Sequence, residues 1–216
     1  MPLMKTREKT LAVIFDCDGV LFDSRQANIH FYNHLLEHFG HPCMEEEDIA
    51  YVHMHTADES IRRIFRRSPH LEAALAYRWE VNYAPFIRDM VMEPGLKEVL
   101  ACLGVETGLA VATNRSNTIG AVLEHHGLEG FFDVVISSLD VRRPKPHPEG
   151  LLKILDHFDI RAAQALYVGD SPVDADTALA AGVPFVAYKD KGLRAEYHAQ
   201  DLWEVVWIAF KVGVRS

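Results

Sequence analysis

Two aspartates one residue apart close a short apolar run in Val13-Ile14-Phe15-Asp16-Cys17-Asp18-Gly19. The run from Leu11 to Phe15 is rich in β-branched and large residues, the pattern of a strand buried on both faces of a parallel sheet. Alternate side chains of a strand share a face, so Asp16 and Asp18 can approach one reacting centre from its carboxyl end. Gly19 then lets the chain leave the sheet closely. Two carboxylates this near repel, and a buried pair needs a cation or a shared proton. Mg²⁺ is the expected cation, being hard and held through one or two carboxylates plus phosphate oxygens.

Other polar residues fall at or just past the ends of further apolar runs: Thr113 and Asn114, then Lys145, then Asp170 with Asp174 four residues on. Together they suit phosphoryl transfer, which needs an in-line nucleophile, charge neutralisation and an acid for the leaving oxygen. Asp16 would be the nucleophile, forming an aspartyl-phosphate. Asp18 would protonate the leaving alkoxide and then activate water. The Thr113 hydroxyl and the Asn114 N–H, near a helix start, would hold phosphate oxygens. Lys145 would offset negative charge. Asp16, the Asp18 carbonyl and Asp170 would hold Mg²⁺, and Asp174 would orient a metal-bound water or Lys145.

The elements that must position these residues alternate. From Leu96 the pattern predicts a helix to Leu103, a strand over Leu109–Thr113, a helix over Ser116–His126 and a strand over Asp133–Ser137. A helix over Pro148–Phe158, a strand over Ala165–Val168, a helix over Ala175–Ala181, a last strand over Pro184–Tyr188 and a helix over Leu202–Val212 follow. Trp203, Trp207 and Phe210 share one face of that last helix, and the tryptophans are expected in the core. Alternating strands and helices imply an α/β fold, a doubly wound parallel sheet whose ligands sit at the carboxyl ends of the strands.

Residues 24–92 read differently, as helices without a strand. One helix should run from Ser24 to Gly40, two short ones flank a polar break at His53–Ser60, and another covers Leu71–Ile87 with Leu75, Trp79 and Phe86 as anchors. His30, His34 and His38 form a row at helical spacing, expected as a solvated face because no carboxylate or cysteine accompanies them. The chain therefore divides into a core, residues 1–23 and 93–216, and an inserted helical unit, residues 24–92.

Composition excludes several classes. The 216 residues carry a formal net charge of -9, which argues against nucleic acid and acidic membranes as partners. Three widely spaced cysteines form neither a disulfide framework nor a zinc pattern, which fits a reducing cytoplasm. Met1–Thr10 is polar and lacks the apolar core of a signal segment, and no run is long enough to span a bilayer. A monomer or a homodimer is expected.

Asp16-Cys17-Asp18-Gly19 with Asp23 resembles the first motif of the haloacid dehalogenase superfamily in its phosphatase form. Ala112-Thr113-Asn114-Arg115 resembles its second motif, and Arg143-Pro144-Lys145-Pro146-His147-Pro148 its third. Gly169-Asp170-Ser171-Pro172-Val173-Asp174 with Ala180-Ala181-Gly182 resembles its fourth. Any one motif is weak; four in order are specific. The resemblance implies a Mg²⁺-dependent phosphatase whose helical insertion is a mobile cap over the site, excluding water and contributing specificity. Asp18 argues against a dehalogenase. The absence of lysine from residues 24–92 argues against a phosphonatase. Gly169-Asp170 and His55-Thr56-Ala57-Asp58 depart from a β-phosphoglucomutase. The core is most similar to phosphoglycolate phosphatases and their pyrophosphatase relatives, so a small phosphorylated metabolite is the expected substrate, phosphoglycolate-like or sugar-phosphate-like. Arg25, His53, His55, Thr56 and Arg115 are candidates for its far end.

Overall fold

A computed structural model of the protein describes residues 11–213, with side chains to Lys211. The polar stretch Met1–Thr10, where no signal segment is expected, lies outside the described residues. Six parallel strands form the main sheet: β1 (Ala12–Phe15), β4 (Gly108–Ala112), β5 (Val134–Ile136), β6 (Ala165–Gly169), β7 (Phe185–Tyr188) and β8 (Tyr197–Ala199). Their order is β5-β4-β1-β6-β7-β8, which puts β1 in the middle between β4 and β6.

The two-residue period of the strands sorts their side chains onto two cores. Val13 and Phe15 of β1, with Leu109, Val111, Leu166 and Val168, pack toward α6 (Leu96–Leu103), α7 (Ile119–His125) and α10 (Leu202–Gly213). Ala12 and Ile14, with Ala110, Ala112 and Tyr167, pack toward α8 (Glu149–Phe158) and α9 (Pro172–Ala181). Helices on both faces explain why the strands are apolar throughout instead of alternating. The doubly wound α/β fold expected from the sequence is the observed one.

Several elements differ from expectation. A two-stranded antiparallel ribbon, β2 (Phe22–Asp23) with β3 (Val91–Met92), brackets the helical insertion where no strand was expected. Each strand is two residues long, below the reach of a periodicity argument. Strand β8 extends the sheet past Tyr188; its Tyr-His-Ala core carries no apolar run. Helix α7 starts at Ile119 and not Ser116, which leaves Asn114 on a loop rather than at a helix start. Helix α9 starts earlier than expected, because the Ser171 hydroxyl accepts from the Asp174 N–H and the Asp174 carboxylate reaches back to Ser171.

Trp203 and Trp207 are exposed, at 51% and 59%. The buried face of α10 is instead Leu202, Val205, Val206, Ile208 and Ala209. The helix is apolar nearly all round, so the side that meets the sheet could not be chosen from pattern alone. Trp79, expected as an anchor, is also half exposed.

The insertion comprises α1 (Arg25–His38), α2 (Glu46–Met54), α3 (Ala57–Ile64), α4 (Leu71–Tyr77) and α5 (Ala84–Ile87). The single helix expected over Leu71–Ile87 is two, since Pro85 lies in the first turn of α5 and cannot continue a preceding helix. These helices have their own core of Phe31, Tyr32, Leu35, Leu36, Val52, Ile61, Phe65 and Ala74. The histidine row is solvated only in part: His30 and His38 are exposed, with His30 against Asp89 at 2.7 Å and His38 stacked on Tyr77 at 3.8 Å, but His34 is half-buried beside Tyr77 and Phe86, so the row borders α4 and α5. Among the described residues, no helix is long and apolar enough to cross a membrane.

Candidate active site

The carboxyl ends of β1, β4 and β6 open into one cavity that the helical insertion covers. Asp16, Asp18, Thr113, Asn114, Arg115, Lys145 and Asp170 line it from the sheet side; His53, His55 and Arg78 line it from the helical side. Asp16 continues β1 through its N–H to the Val168 carbonyl. Gly19 turns the chain with φ +77°, and a Cβ there would lie 1.8 Å from Asp170 Oδ2. Only glycine satisfies both the backbone and this approach, so Gly19 is what lets the loop after β1 meet the end of β6.

Lys145 sits at the centre. Its Nζ lies 2.8 Å from Asp16 Oδ1 and 2.7 Å from Asp174 Oδ1, and it donates to the Tyr167 hydroxyl at 3.0 Å. Tyr167 in turn donates to Asp174 Oδ1 at 2.5 Å, and the Ser171 hydroxyl donates to Asp174 Oδ2 at 2.6 Å. Asn114 clamps the lysine's backbone: Oδ1 accepts from the Lys145 N–H at 3.0 Å, and Nδ2 donates to the Lys145 carbonyl at 3.2 Å. Asn114 Nδ2 also reaches the Met54 carbonyl of α2 at 3.3 Å, a tie between sheet and insertion.

Burial sets the electrostatics, and the partners decide its outcome. Burial pushes the Asp16 carboxyl well above its ordinary value; Lys145 opposes this, while Asp174, Asp170 and Asp18 add to it. Burial also opposes ionisation of Asp174, but the Lys145 charge and hydrogen bonds from Lys145, Ser171 and Tyr167 outweigh it and hold that carboxyl low. Asp170 is pushed up to about 7 by burial and then by Asp174. The Lys145 ammonium is held charged, because Asp16 and Asp174 outweigh its burial.

Asp18 is turned the other way. Arg115 grips it with two parallel bonds, Nε to Oδ2 at 2.8 Å and Nη2 to Oδ1 at 2.7 Å, and the Ser24 hydroxyl also donates to Oδ1. Against burial, these contacts hold the Asp18 carboxyl below its usual range. Arg115 also donates to the Tyr83 hydroxyl at 3.0 Å. The Thr113 hydroxyl accepts from the Arg115 N–H at 3.1 Å.

Oxygen atoms of Asp16, Asp170 and Asp174 lie within 4.8 Å of one another. An all-carboxylate set, with Asp16 and Asp170 both pushed toward protonation by crowding, fits a hard divalent cation that would relieve it. The Asp18 side chain is not part of that set.

The remaining candidates scatter. His55 lines the cavity, stacked on Tyr51 at 3.7 Å with Nδ1 bonded to the Tyr51 carbonyl. Thr56 is the N-cap of α3, in a reciprocal pair with Glu59. Arg25 pairs with Glu46 at 2.6 Å on the surface. Tyr167, Tyr83 and Arg78 were not foreseen. A tyrosine in an otherwise aliphatic strand was a visible signal for Tyr167; Arg78 gave none.

The model for haloacid dehalogenase-like hydrolases matches residues 13–188. A phosphoglycolate phosphatase of Rhodobacter capsulatus is 30% identical, over 83% of this chain and 84% of its own. Pyrophosphatase PpaX of Bacillus velezensis is 28% identical, over 87% of this chain and 88% of its own. Among solved structures, a HAD-superfamily hydrolase of subfamily IA from Geobacter sulfurreducens shares 40% identity at a TM-score of 0.76, covering 93% of this chain and 96% of that one.

Proposed function

The chain belongs to the haloacid dehalogenase-like hydrolases, and from that premise we propose a Mg²⁺-dependent phosphatase that acts on a small phosphorylated metabolite through an aspartyl-phosphate on Asp16. The observation that carries this reading is the Lys145-bridged cluster at the carboxyl edge of the sheet. One ammonium spans Asp16 and Asp174, with Asp170 beside them and Asp18 held two residues from Asp16. Relatives named phosphoglycolate phosphatase and pyrophosphatase support it.

In the first step an Asp16 carboxylate oxygen attacks phosphorus in line, and the bond from phosphorus to the leaving oxygen breaks. Asp18 gives that oxygen a proton. In the second step Asp18 takes a proton from water, the water oxygen attacks phosphorus, and the Asp16–phosphorus bond breaks to release inorganic phosphate. Asp18 is gripped by Arg115 in its ionised form, so it serves as base in this arrangement and acts as acid only after leaving Arg115 and taking up a proton. Lys145 and the Thr113 hydroxyl stabilise the phosphoryl oxygens, and Asp174 with Tyr167 holds Lys145 in place. Asp16, Asp170 and the Asp18 carbonyl would hold Mg²⁺, which would supply the charge neutralisation that a dianionic phosphate needs among these acids.

Residues 24–92 act as the cap domain and the remainder as the catalytic core. The hinges fall at Phe22–Ser24 and Glu93–Gly95, where the β2–β3 ribbon brings entry and exit together. The protein works in the cytoplasm.

A screen of phosphorylated metabolites with Mg²⁺, scored by released phosphate, tests the reading. Release that needs both the cation and Asp16 supports it. Transfer of the phosphoryl group back to a sugar instead of to water would make the protein a phosphomutase.

A further inference from the structure

We propose that Arg78 binds a second anionic group on the substrate, so the enzyme prefers short phosphate compounds that carry a carboxylate or a second phosphoryl group at their far end. The proposal rests on the phosphatase reading above and narrows its substrate class.

Three side chains of fixed positive charge line the cavity: Lys145, Arg115 and Arg78. Two are already committed. Lys145 lies between Asp16 and Asp174, and Arg115 spends its fork on Asp18 and a further donor on Tyr83. Arg78 differs. It follows α4 on the helical side, its side chain is only 6% exposed, and its Nε is buried with no hydrogen-bond partner. Nη1 reaches the Ser116 hydroxyl at a long 3.5 Å. Nη2 pairs with Asp58 at 2.6 Å, but Asp58 is 56% exposed. Asp58 is thus the solvent-facing partner of a buried guanidinium, and an anion that took its place would leave Asp58 in water.

A buried guanidinium with an unused donor is costly to leave so. Nε and Nη2 form one edge of its planar fork, which holds a carboxylate or phosphate by two parallel bonds once Nη2 exchanges Asp58 for that anion. The guanidinium lies 3.8 Å from the Trp79 ring, which fixes its plane. The acids, Thr113 and Lys145 at the sheet edge take up the transferring phosphoryl group. Arg78, which lines the same cavity from the helical unit, is left for the other end. The cavity volume is about 80 Å³. One water needs roughly 10–15 Å³, so a phosphate with a short tail suits it and a nucleotide does not. The competing explanation is that Arg78 only rivets the helical unit to the sheet through Ser116.

The test compares substrates of equal length that differ in far-end charge. Arg78→Gln should lower the ratio of kcat/KM for 2-phosphoglycolate to that for 2-hydroxyethyl phosphate by about 10–150-fold, the range of hydrogen bonds to charged groups. Arg78→Lys should restore part of the ratio, because it keeps the charge without the fork. If the far group is a phosphoryl, the same fall appears in the ratio for pyrophosphate to methyl phosphate. Asp58→Asn, which frees Arg78, should raise whichever ratio Arg78→Gln lowers. This second variant decides the matter if Arg78→Gln does not fold. Both ratios unchanged within about threefold in these variants would overturn the proposal and leave Arg78 a rivet. Wild-type enzyme that releases phosphate from other metabolites of the wider screen but from none of these four would overturn this inference alone, whereas no release from any metabolite would overturn the phosphatase reading as well.

Discussion

The two walls of the cavity are built to different standards. On the sheet side nearly every polar atom has a partner: Asp174 takes donors from Lys145, Tyr167 and Ser171, and Asn114 holds both backbone groups of Lys145. On the helical side contacts are sparse. His53 meets Asn28 at 3.3 Å, His55 turns back on its own helix, and Arg78 keeps an unpartnered nitrogen. A wall that performs one reaction benefits from groups fixed before the substrate arrives. A wall that recognises a substrate must leave its bonds to be made by that substrate. The difference supports the proposed division, with chemistry at the sheet edge and choice in the insertion.

The largest effects should therefore come from the sheet edge. Asp16→Asn should cost roughly 10⁴–10⁶-fold in phosphate release, since the attacking group itself is gone. Removing divalent cations with a chelator should also abolish turnover, and Mg²⁺ should restore it. Full activity in metal-free buffer would break the assignment. Asp18→Asn should cost about 10²–10⁴-fold, and least on 4-nitrophenyl phosphate, whose leaving group needs little protonation. Rapid mixing should then give a burst of nitrophenol followed by slow turnover. Equal loss in the two variants on that substrate would mean their roles are misassigned.

Arg115→Leu sharpens the comparison by releasing Asp18 from its clamp. An arginine beside an aspartate lowers the acid's pKa by about 1–3 units. The alkaline limb of the kcat/KM profile, set by the need for a protonated Asp18 in the first step, should move upward by a similar amount.

The pH dependence of stability offers a smaller signal from the same wall. Asp170 is pushed up to about 7 in the folded, metal-free protein, above its ordinary value of 3.8. Between these values the folded protein keeps a proton that the unfolded chain has released, so stability falls as pH rises through that window. Asp18 and Asp174 are held low, so their contribution is present above about 4 and lost only in stronger acid. In chelator, Tm should drop by several degrees from pH 5 to pH 7.5, and excess Mg²⁺ should remove the drop. A flat or rising Tm would contradict the electrostatics given for the cluster.

The helical wall should give the smallest stability effects and the clearest changes of preference. Thr56→Ala removes a helix cap and should cost about 1 kcal/mol, roughly 2–4 °C in Tm. Replacing His53 and His55 by alanine should reorder a panel of substrates while moving Tm less than that. An unchanged ranking would show that this loop does not read the substrate.

How much was legible beforehand follows the same divide. The central strand, its two acids and the polar residues after β4, β5 and β6 could be placed because parallel sheets gather strand ends at one edge. Who bonds whom could not. Arg115 was considered for substrate and instead faces Asp18, a pairing across 97 positions that no local pattern encodes. Arg78 is just past the end of a short helix, where an arginine is ordinary. The burial of α10 was misjudged because its apolar residues surround the helix, leaving Trp203 and Trp207 outside. Strand β8 was missed because a three-residue edge strand needs little hydrophobicity.

The central position of β1 also has a cost in time. Among the described strands it is the first made, yet its neighbours β4 and β6 lie about 95 and about 150 residues further along the chain. At roughly 5–20 residues per second, β1 waits roughly 5–20 s for one partner and 8–30 s for the other. Until β4 emerges, Leu-Ala-Val-Ile-Phe is unpaired on both edges in the nascent chain, and one edge stays unpaired until β6 follows. The helical insertion emerges during the wait with a hydrophobic core of its own, so it can fold before the sheet that carries it. The order of synthesis is therefore the reverse of the spatial hierarchy, and β1 is the segment on which a chaperone has the longest time to act.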